Sequence, residues 1–281
     1  MSPTATAPEH GALMAQAGQE NFPVASVFLP RGQRRQLMAI YGVARLIDDV
    51  GDESPGDRRG LLDWLDGELD LVFAGGEPEH PAMRALGAVV SGSPLPVQPF
   101  RDLVQANRQD QDVTRYQTFE QLLGYCRLSA APVGELVLHV FGAATPERLA
   151  QSERICAGLQ VVEHIQDVAE DHSRGRIYMP TEDMRRFGCS ERELAAPGAS
   201  QARRELLAFE AQRAAALLDQ GAPLATTLTT RPRIALACFV AGGRAALHAL
   251  ARASYDVCPY PTRTRTRRAF ATAFARAVRG K

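Results

Sequence analysis

The sequence predicts an all-α fold. Apolar residues recur at helical spacing along most of the chain, no stretch alternates polar and apolar residues for the length of a strand, and no internal repeat is present. At 281 residues, with 45% apolar content, the chain has enough material for one large domain and its core. Residues 1–12 are small, polar and proline-containing, and are expected to be disordered. Between Arg34 and Val50, the residues Leu37, Ile40, Tyr41, Ala44 and Ile47 share one helical face. Leu61, Leu62, Leu65, Leu69 and Val72 mark a second helix, ended near Gly75-Gly76. Ser91 to Pro99 is proline-rich and reads as a connector. Phe119 to Phe141 is a long apolar segment broken by Pro132. Thr145-Pro146-Glu147 starts a helix that runs over Leu149 to Val168. Ser173 to Gly188 reads as a loop with a short turn, and Arg203–Leu218 and Arg233–Leu250 as two more helices. The expectation is roughly eight to ten helices in a single domain over 13–260, followed by a tail over 261–281.

Composition narrows the function. Thirty-two basic and 32 acidic residues cancel, so nothing global points to nucleic acid. Five scattered cysteines without CxxC spacing argue against a disulfide framework or a zinc site and fit a reducing cytosol. The N-terminus lacks the pattern of a signal peptide, and no apolar run of membrane-spanning length is expected, so the predicted location is cytoplasmic. The tail carries Arg263, Arg265, Arg267, Arg268, Arg276, Arg279 and Lys281 without an acid. Its Phe270, Phe274, Ala277 and Val278 share a face. The readings that stand are a basic amphipathic helix in peripheral contact with the inner face of a membrane, a last helix docked on the body, or a frayed end. No protein partner is predicted.

Two acidic clusters carry the chemistry. One is Asp48-Asp49-Val50-Gly51-Asp52-Glu53, the other Asp167-Val168-Ala169-Glu170-Asp171. In each, two aspartates four residues apart stack on one helix face, roughly 6 Å from each other, where like charges repel. A hard divalent cation relieves that repulsion, and oxygen-only ligands favour Mg²⁺ with substrate phosphates completing its shell. Arg45 and Tyr41 share the Asp48 face, and an arginine fork suits a diphosphate. Gln160, Glu163, Asp167 and Asp171 form a polar stripe on an otherwise apolar helix. Arg174, Arg176 and Tyr178 follow within reach of a phosphate. Tyr125 precedes Ser129, Ala130, Ala131 and Gly134, whose small side chains leave room for a bulky apolar ligand. Its ring is placed either to face a carbocation or to fill core. His164, between Glu163 and Ile165, reads as structural rather than as a ligand.

These segments resemble the squalene/phytoene synthase type of isoprenyl diphosphate synthase from about Asn21 to Leu250. The resemblance rests on Leu29-Pro30, Tyr41 through Asp52, Tyr125 through Gly134, and Leu159 through Pro180. It implies an isoprenoid synthase fold with a central apolar cavity and Mg²⁺ bound through Asp48, Asp52, Asp167 and Asp171. It also implies an isoprenoid diphosphate substrate contacted by Tyr41, Arg45, Gln160, Arg176 and Tyr178. Tyr125 matches the tyrosine linked to the first condensation half-reaction. The chain departs from the common pattern at Glu163, where most members carry Asn, and at Gln166, where many carry Arg. It departs again at Gly243-Arg244, where a Tyr-Arg pair is frequent, and at Asn21-Phe22, which replaces a Ser-Phe pattern. That set resembles the branch converting presqualene diphosphate and water to hydroxysqualene and diphosphate. Asn21 and Phe22 are expected at the substrate, Asp48 and Asp167 in the ionisation, Glu163 either as the base for the incoming water or as a member of the metal shell, and Gly243 as a space-opening residue. The alternatives are a squalene or phytoene synthase joining two prenyl diphosphates head to head, and a non-catalytic assembly factor with the same fold.

Overall fold

A computed structural model of the chain describes residues 29–257. Among the described residues the chain is helical throughout, and its only β feature is an isolated bridge between Arg115 and Ile177. The all-α expectation therefore holds. Among the described residues thirteen helices are formed, more than the eight to ten expected, because several are too short to show a period. In chain order they are α1 (Arg31–Asp52), α2 (Arg58–Phe73), α3 (Pro81–Val90), α4 (Gln98–Gln109), α5 (Phe119–Ser129), α6 (Ala131–Val140), α7 (Pro146–Gln166), α8 (Val168–Ser173), α9 (Thr181–Phe187), α10 (Glu191–Ala195), α11 (Gln201–Gly221), α12 (Leu224–Thr227) and α13 (Thr230–Arg252). The expected loop over Ser173–Gly188 contains α9, whose first turn has Glu182 and Asp183 and whose end is closed by Gly188 at φ 64°.

The chain packs as two compact units. The first comprises the residues up to Asp112 together with Arg127–Leu149. Its core is a single apolar cluster from α1, α2, α3, α4 and α6, including the fully enclosed Ile40, Leu46, Ile47, Leu65, Leu69, Met83, Leu86 and Phe100. The helix starts are conventional: Asp57 caps α2 through Gly60 N–H, and His80 caps α3 through Ala82 N–H ahead of Pro81. The second unit comprises Val113–Cys126 together with the residues from Ala150 onward. There, glycines let helices approach closely. A Cβ on Gly221 of α11 would lie 2.4 Å from Ile155 and 2.7 Å from a backbone oxygen of α7. Arg203, fully buried, donates to the carbonyls of Glu193 (3.1 Å), Leu194 (3.1 Å) and Ala196 (2.9 Å), satisfying the end of α10.

One expectation about membranes changes. By length and composition α13 is apolar enough to cross a bilayer, although no such segment was expected. Pro232, Ala235, Val240, Gly243, Ala246 and Leu250 of α13 are buried, and 33% of its apolar window is buried in all. The expected disordered N-terminus, the basic tail over 261–281, and Asn21 and Phe22 lie outside the described residues.

Candidate active site

The first acidic cluster occupies the last turn of α1. Carboxylates are unfavourable there, because the helix dipole leaves partial negative charge at that end. The structure answers part of the cost. Arg45 pairs with the buried Asp49 at 2.6 Å, one turn along the same helix. The Asp48 side chain is exposed, and Asn107 of α4 donates to it over 3.5 Å. Asn107 is itself held by Leu103 O at 3.1 Å, and Gln111 donates to Gly51 O at 3.0 Å, covering a carbonyl at the end of α1. Although Asp48 keeps a solvent-facing surface, the protein packed around its carboxyl raises it above the usual carboxylate range. Arg45 and the Asn107 amide oppose that rise, while Asp52 and Asp49 add to it.

Sequence reasoning missed Asn107 and Gln111, which lie far from the motif in the chain. The available signal was Gly51 inside the acidic cluster. A Cβ at Gly51 would sit 1.9 Å from Asn107 Oδ1, so only glycine lets the amide reach the end of α1. Arg45, expected at a diphosphate, pairs with Asp49 and also bears electrostatically on Asp48.

The second cluster straddles a break. The expected continuous helix ends at Gln166, and Asp167 (φ −99°, ψ 12°) is the boundary residue before α8. Hydrogen bonding nevertheless runs through the break, from Asp167 N–H to Glu163 O and from Asp171 N–H to Asp167 O, each 2.8 Å. The stripe of Gln160, Glu163, Asp167 and Asp171 is therefore kinked at its third member. Glu163 is exposed, and Gln160, Asp167 and Asp171 are half-buried.

Past α8 the chain turns at Gly175 (φ 81°) and returns along residues 114–116. Ile177 N–H donates to Thr114 O and Thr181 N–H to Tyr116 O, both at 2.9 Å, and Arg115 Nη1 reaches Gly175 O at 2.7 Å. Arg176 N–H donates to Asp171 O at 2.9 Å, placing Arg176 beside the acidic turn. This bracing puts the buried Tyr178 among three other rings. His164 stacks on it at 3.8 Å and 14°, Tyr116 at 5.8 Å and 19°, and Tyr125 at 5.5 Å and 29°. Tyr125 and Tyr178, both singled out from sequence, thus belong to one aromatic wall. Tyr116 was not foreseen, since a tyrosine in the short stretch before α5 carries no motif.

Gly243 does not open space. A Cβ there would meet Leu159 at 2.6 Å and Leu218 at 3.1 Å, so both leucines already occupy the volume a larger side chain would need. Its neighbour Arg244 is paired with Asp219 on the surface at 2.6 Å.

The model of the squalene/phytoene synthase family matches residues 15–273. The chain belongs to that family. The hydroxysqualene synthase of Rhodopseudomonas palustris is 33% identical over 210 residues, covering 74% of this chain and 71% of that family member. The 15-cis-phytoene synthase of Synechocystis is 35% identical over 209 residues, covering 69% of this chain and 62% of its own length. Among solved structures, squalene synthase HpnC from Alicyclobacillus acidocaldarius superposes with a TM-score of 0.81 at 38% identity, covering 90% of this chain and 99% of that one. A dehydrosqualene synthase at 24% identity, with a TM-score of 0.83, shares the fold, covering 96% of this chain and 95% of its own. Squalene/phytoene synthase family membership makes the chain a prenyl diphosphate-processing enzyme.

The donor set suits the divalent ion of such chemistry. Every candidate ligand is a hard carboxylate oxygen, and at the end of α1 the charges of Asp52 and Asp49 add to the rise that desolvation gives the Asp48 carboxyl. Among the described residues no three His, Cys, Asp or Glu side chains form a ready-made cage. Mg²⁺ seldom needs one, since it keeps waters and substrate phosphate oxygens in its shell.

Proposed function

We propose that this enzyme converts presqualene diphosphate and water to hydroxysqualene and diphosphate. The observation that carries the reading is Glu163, an exposed carboxylate between Gln160 and Asp167 at the end of α7. A head-to-head condensation that ends in a hydrocarbon needs no base for water. Hydration does, and a carboxylate on the polar stripe supplies it.

Asp48, Asp52, Asp167 and Asp171 would hold Mg²⁺, which when bound supplies positive charge against the departing diphosphate. Arg176, beside the Asp171 turn, binds and orients phosphate oxygens. Departure of the diphosphate leaves a cyclopropylcarbinyl cation, whose ring bond breaks on rearrangement to give an allylic cation; Tyr178 and Tyr125 offer ring faces to these cations, and their stacking fixes those faces in advance. One water adds to the allylic cation, a C–O bond forms, and Glu163 takes the surplus proton. The neutral alcohol and the diphosphate are then released. On this reading the substrate is the only partner required, and the enzyme acts in the cytoplasm.

The 35% identity to a phytoene synthase keeps head-to-head condensation as a second reading. Purified protein with Mg²⁺ should be given presqualene diphosphate in one incubation and farnesyl or geranylgeranyl diphosphate in others. Hydroxysqualene from presqualene diphosphate, with the linear substrates unconsumed, is the expected result. A thirty- or forty-carbon product from a linear prenyl diphosphate would replace this reading by the second.

A further inference from the structure

We infer that His164 is a positioning residue that holds Asp171, Gln160 and Tyr178 in one arrangement. The inference rests on the function proposed above. His164 lies near the end of α7, is only 5% exposed, and presents each part of its ring to a different candidate site residue. Its face lies on Tyr178, with ring centroids 3.8 Å apart. Its Nε2 is 3.3 Å from the Gln160 amide nitrogen, and its Nδ1 is 3.8 Å from Asp171 Oδ2.

The tautomer follows from the amide. Gln160 Nε2 is a donor, so His164 Nε2 accepts, and the ring proton resides on Nδ1 facing the carboxylate. At 3.8 Å the Nδ1–Asp171 pair is beyond a direct hydrogen bond, and it orients the carboxylate by attraction across that gap. The location matters, because Asp171 lies on α8, beyond the break at Asp167. A six-residue helix hinged at that break needs a tie to fix its carboxylate, and His164 supplies one from the rigid side. A histidine that only filled core would not direct both nitrogens at polar residues of the same stripe. Groups that orient metal-binding carboxylates typically cost 10–100-fold in metal affinity when removed.

The test is thermal stabilisation of the full chain by Mg²⁺ at fixed inorganic diphosphate, alongside near-ultraviolet circular dichroism of the metal-free protein. His164→Phe keeps a flat ring on Tyr178 and removes both nitrogens. His164→Asn keeps an N–H close to the Nδ1 position and gives up the ring stack. The half-saturating Mg²⁺ concentration should rise about tenfold in His164→Phe with the tyrosine dichroism retained. In His164→Asn it should stay within about threefold of the parent while the dichroism weakens. His164→Phe titrating like the parent, or His164→Asn losing as much Mg²⁺ response as His164→Phe, would overturn the inference. If only His164→Asn folds, a tenfold loss in that variant alone overturns it. A parent protein that Mg²⁺ and diphosphate fail to stabilise would instead overturn the functional reading, leaving the dichroism of both variants to report on the stack.

Discussion

Gly51 offers the sharpest test of how the end of α1 is built. Replacing it with alanine places a Cβ 1.9 Å from Asn107 Oδ1, 2.6 Å from its Cγ and 2.9 Å from its Cβ. Those distances cannot persist, and Asn107 is itself buried, so the amide must leave its seat or α4 must shift. Overpacking of this kind costs about 1–3 kcal/mol. Displacing the amide also breaks its bonds to Leu103 O and Asp48, adding about 1 kcal/mol. Alanine's better helix propensity returns about 1 kcal/mol. The expected net loss for Gly51→Ala is thus about 1–3 kcal/mol. Gly67 in α2 is the internal control: nothing lies within 4 Å of its missing Cβ, so Gly67→Ala should stabilise by about 0.5–1 kcal/mol. Urea unfolding of parent, both single variants and Gly51→Ala/Asn107→Ala measures all four. The double variant removes the two closest atoms and should recover at least about 1 kcal/mol of the loss. Equal stability of Gly51→Ala and Gly67→Ala would refute the claim that Gly51 exists to admit Asn107.

Further predictions follow from the site and from a buried acid. Glu210 is fully enclosed beside Asp183 and Arg213, and burial pushes its carboxyl up to about 8, with Asp183 adding and Arg213 opposing. The folded protein therefore holds a proton that the unfolded chain releases above about 4.5, so this group lowers stability as pH rises from about 4.5 to 8 and not beyond. Glu210→Gln should gain on the parent across that window, by a few kcal/mol on the order of magnitude at its top, and thermal melts running parallel over pH 5–8 would contradict it. Asp171→Asn should abolish stabilisation by Mg²⁺ and diphosphate while leaving the metal-free melting temperature within about 2 °C, since Asp171 is only half-buried. Glu163→Gln should lower kcat on presqualene diphosphate by about 10²–10⁴-fold with KM little changed, and unchanged turnover would remove it as the base.

Much of this was legible in the residues, and the failures have physical causes. The two aspartate pairs announced themselves because like charges at helical spacing are a liability without a counter-charge. Helices α1, α2, α7, α11 and α13 were visible because each is long enough to show several turns of apolar period. Helices α9, α10 and α12 were not, because four to seven residues complete fewer than two turns. The break at Asp167 left no mark, since the hydrogen bonds on either side preserve the i to i+4 register across it. Gly243 was misjudged for a different reason. A missing side chain predicts space only if neighbours leave it open, and Leu159 and Leu218 fill it. The aromatic wall around Tyr178 was half legible: Tyr125 and Tyr178 stood in motifs, whereas Tyr116 joins through backbone pairing that links residues 114–116 to 177–181, and His164 meets Tyr178 from α7.

The central claim is capture of one water by an allylic cation. It is tested most directly by turning over presqualene diphosphate with Mg²⁺ in ¹⁸O-labelled water and weighing the thirty-carbon product and the released diphosphate. The account predicts a single heavy oxygen in the alcohol and none in the diphosphate, because the C–O bond to the leaving group breaks before water adds. Label in the diphosphate, or a product that is an oxygen-free hydrocarbon, would contradict it.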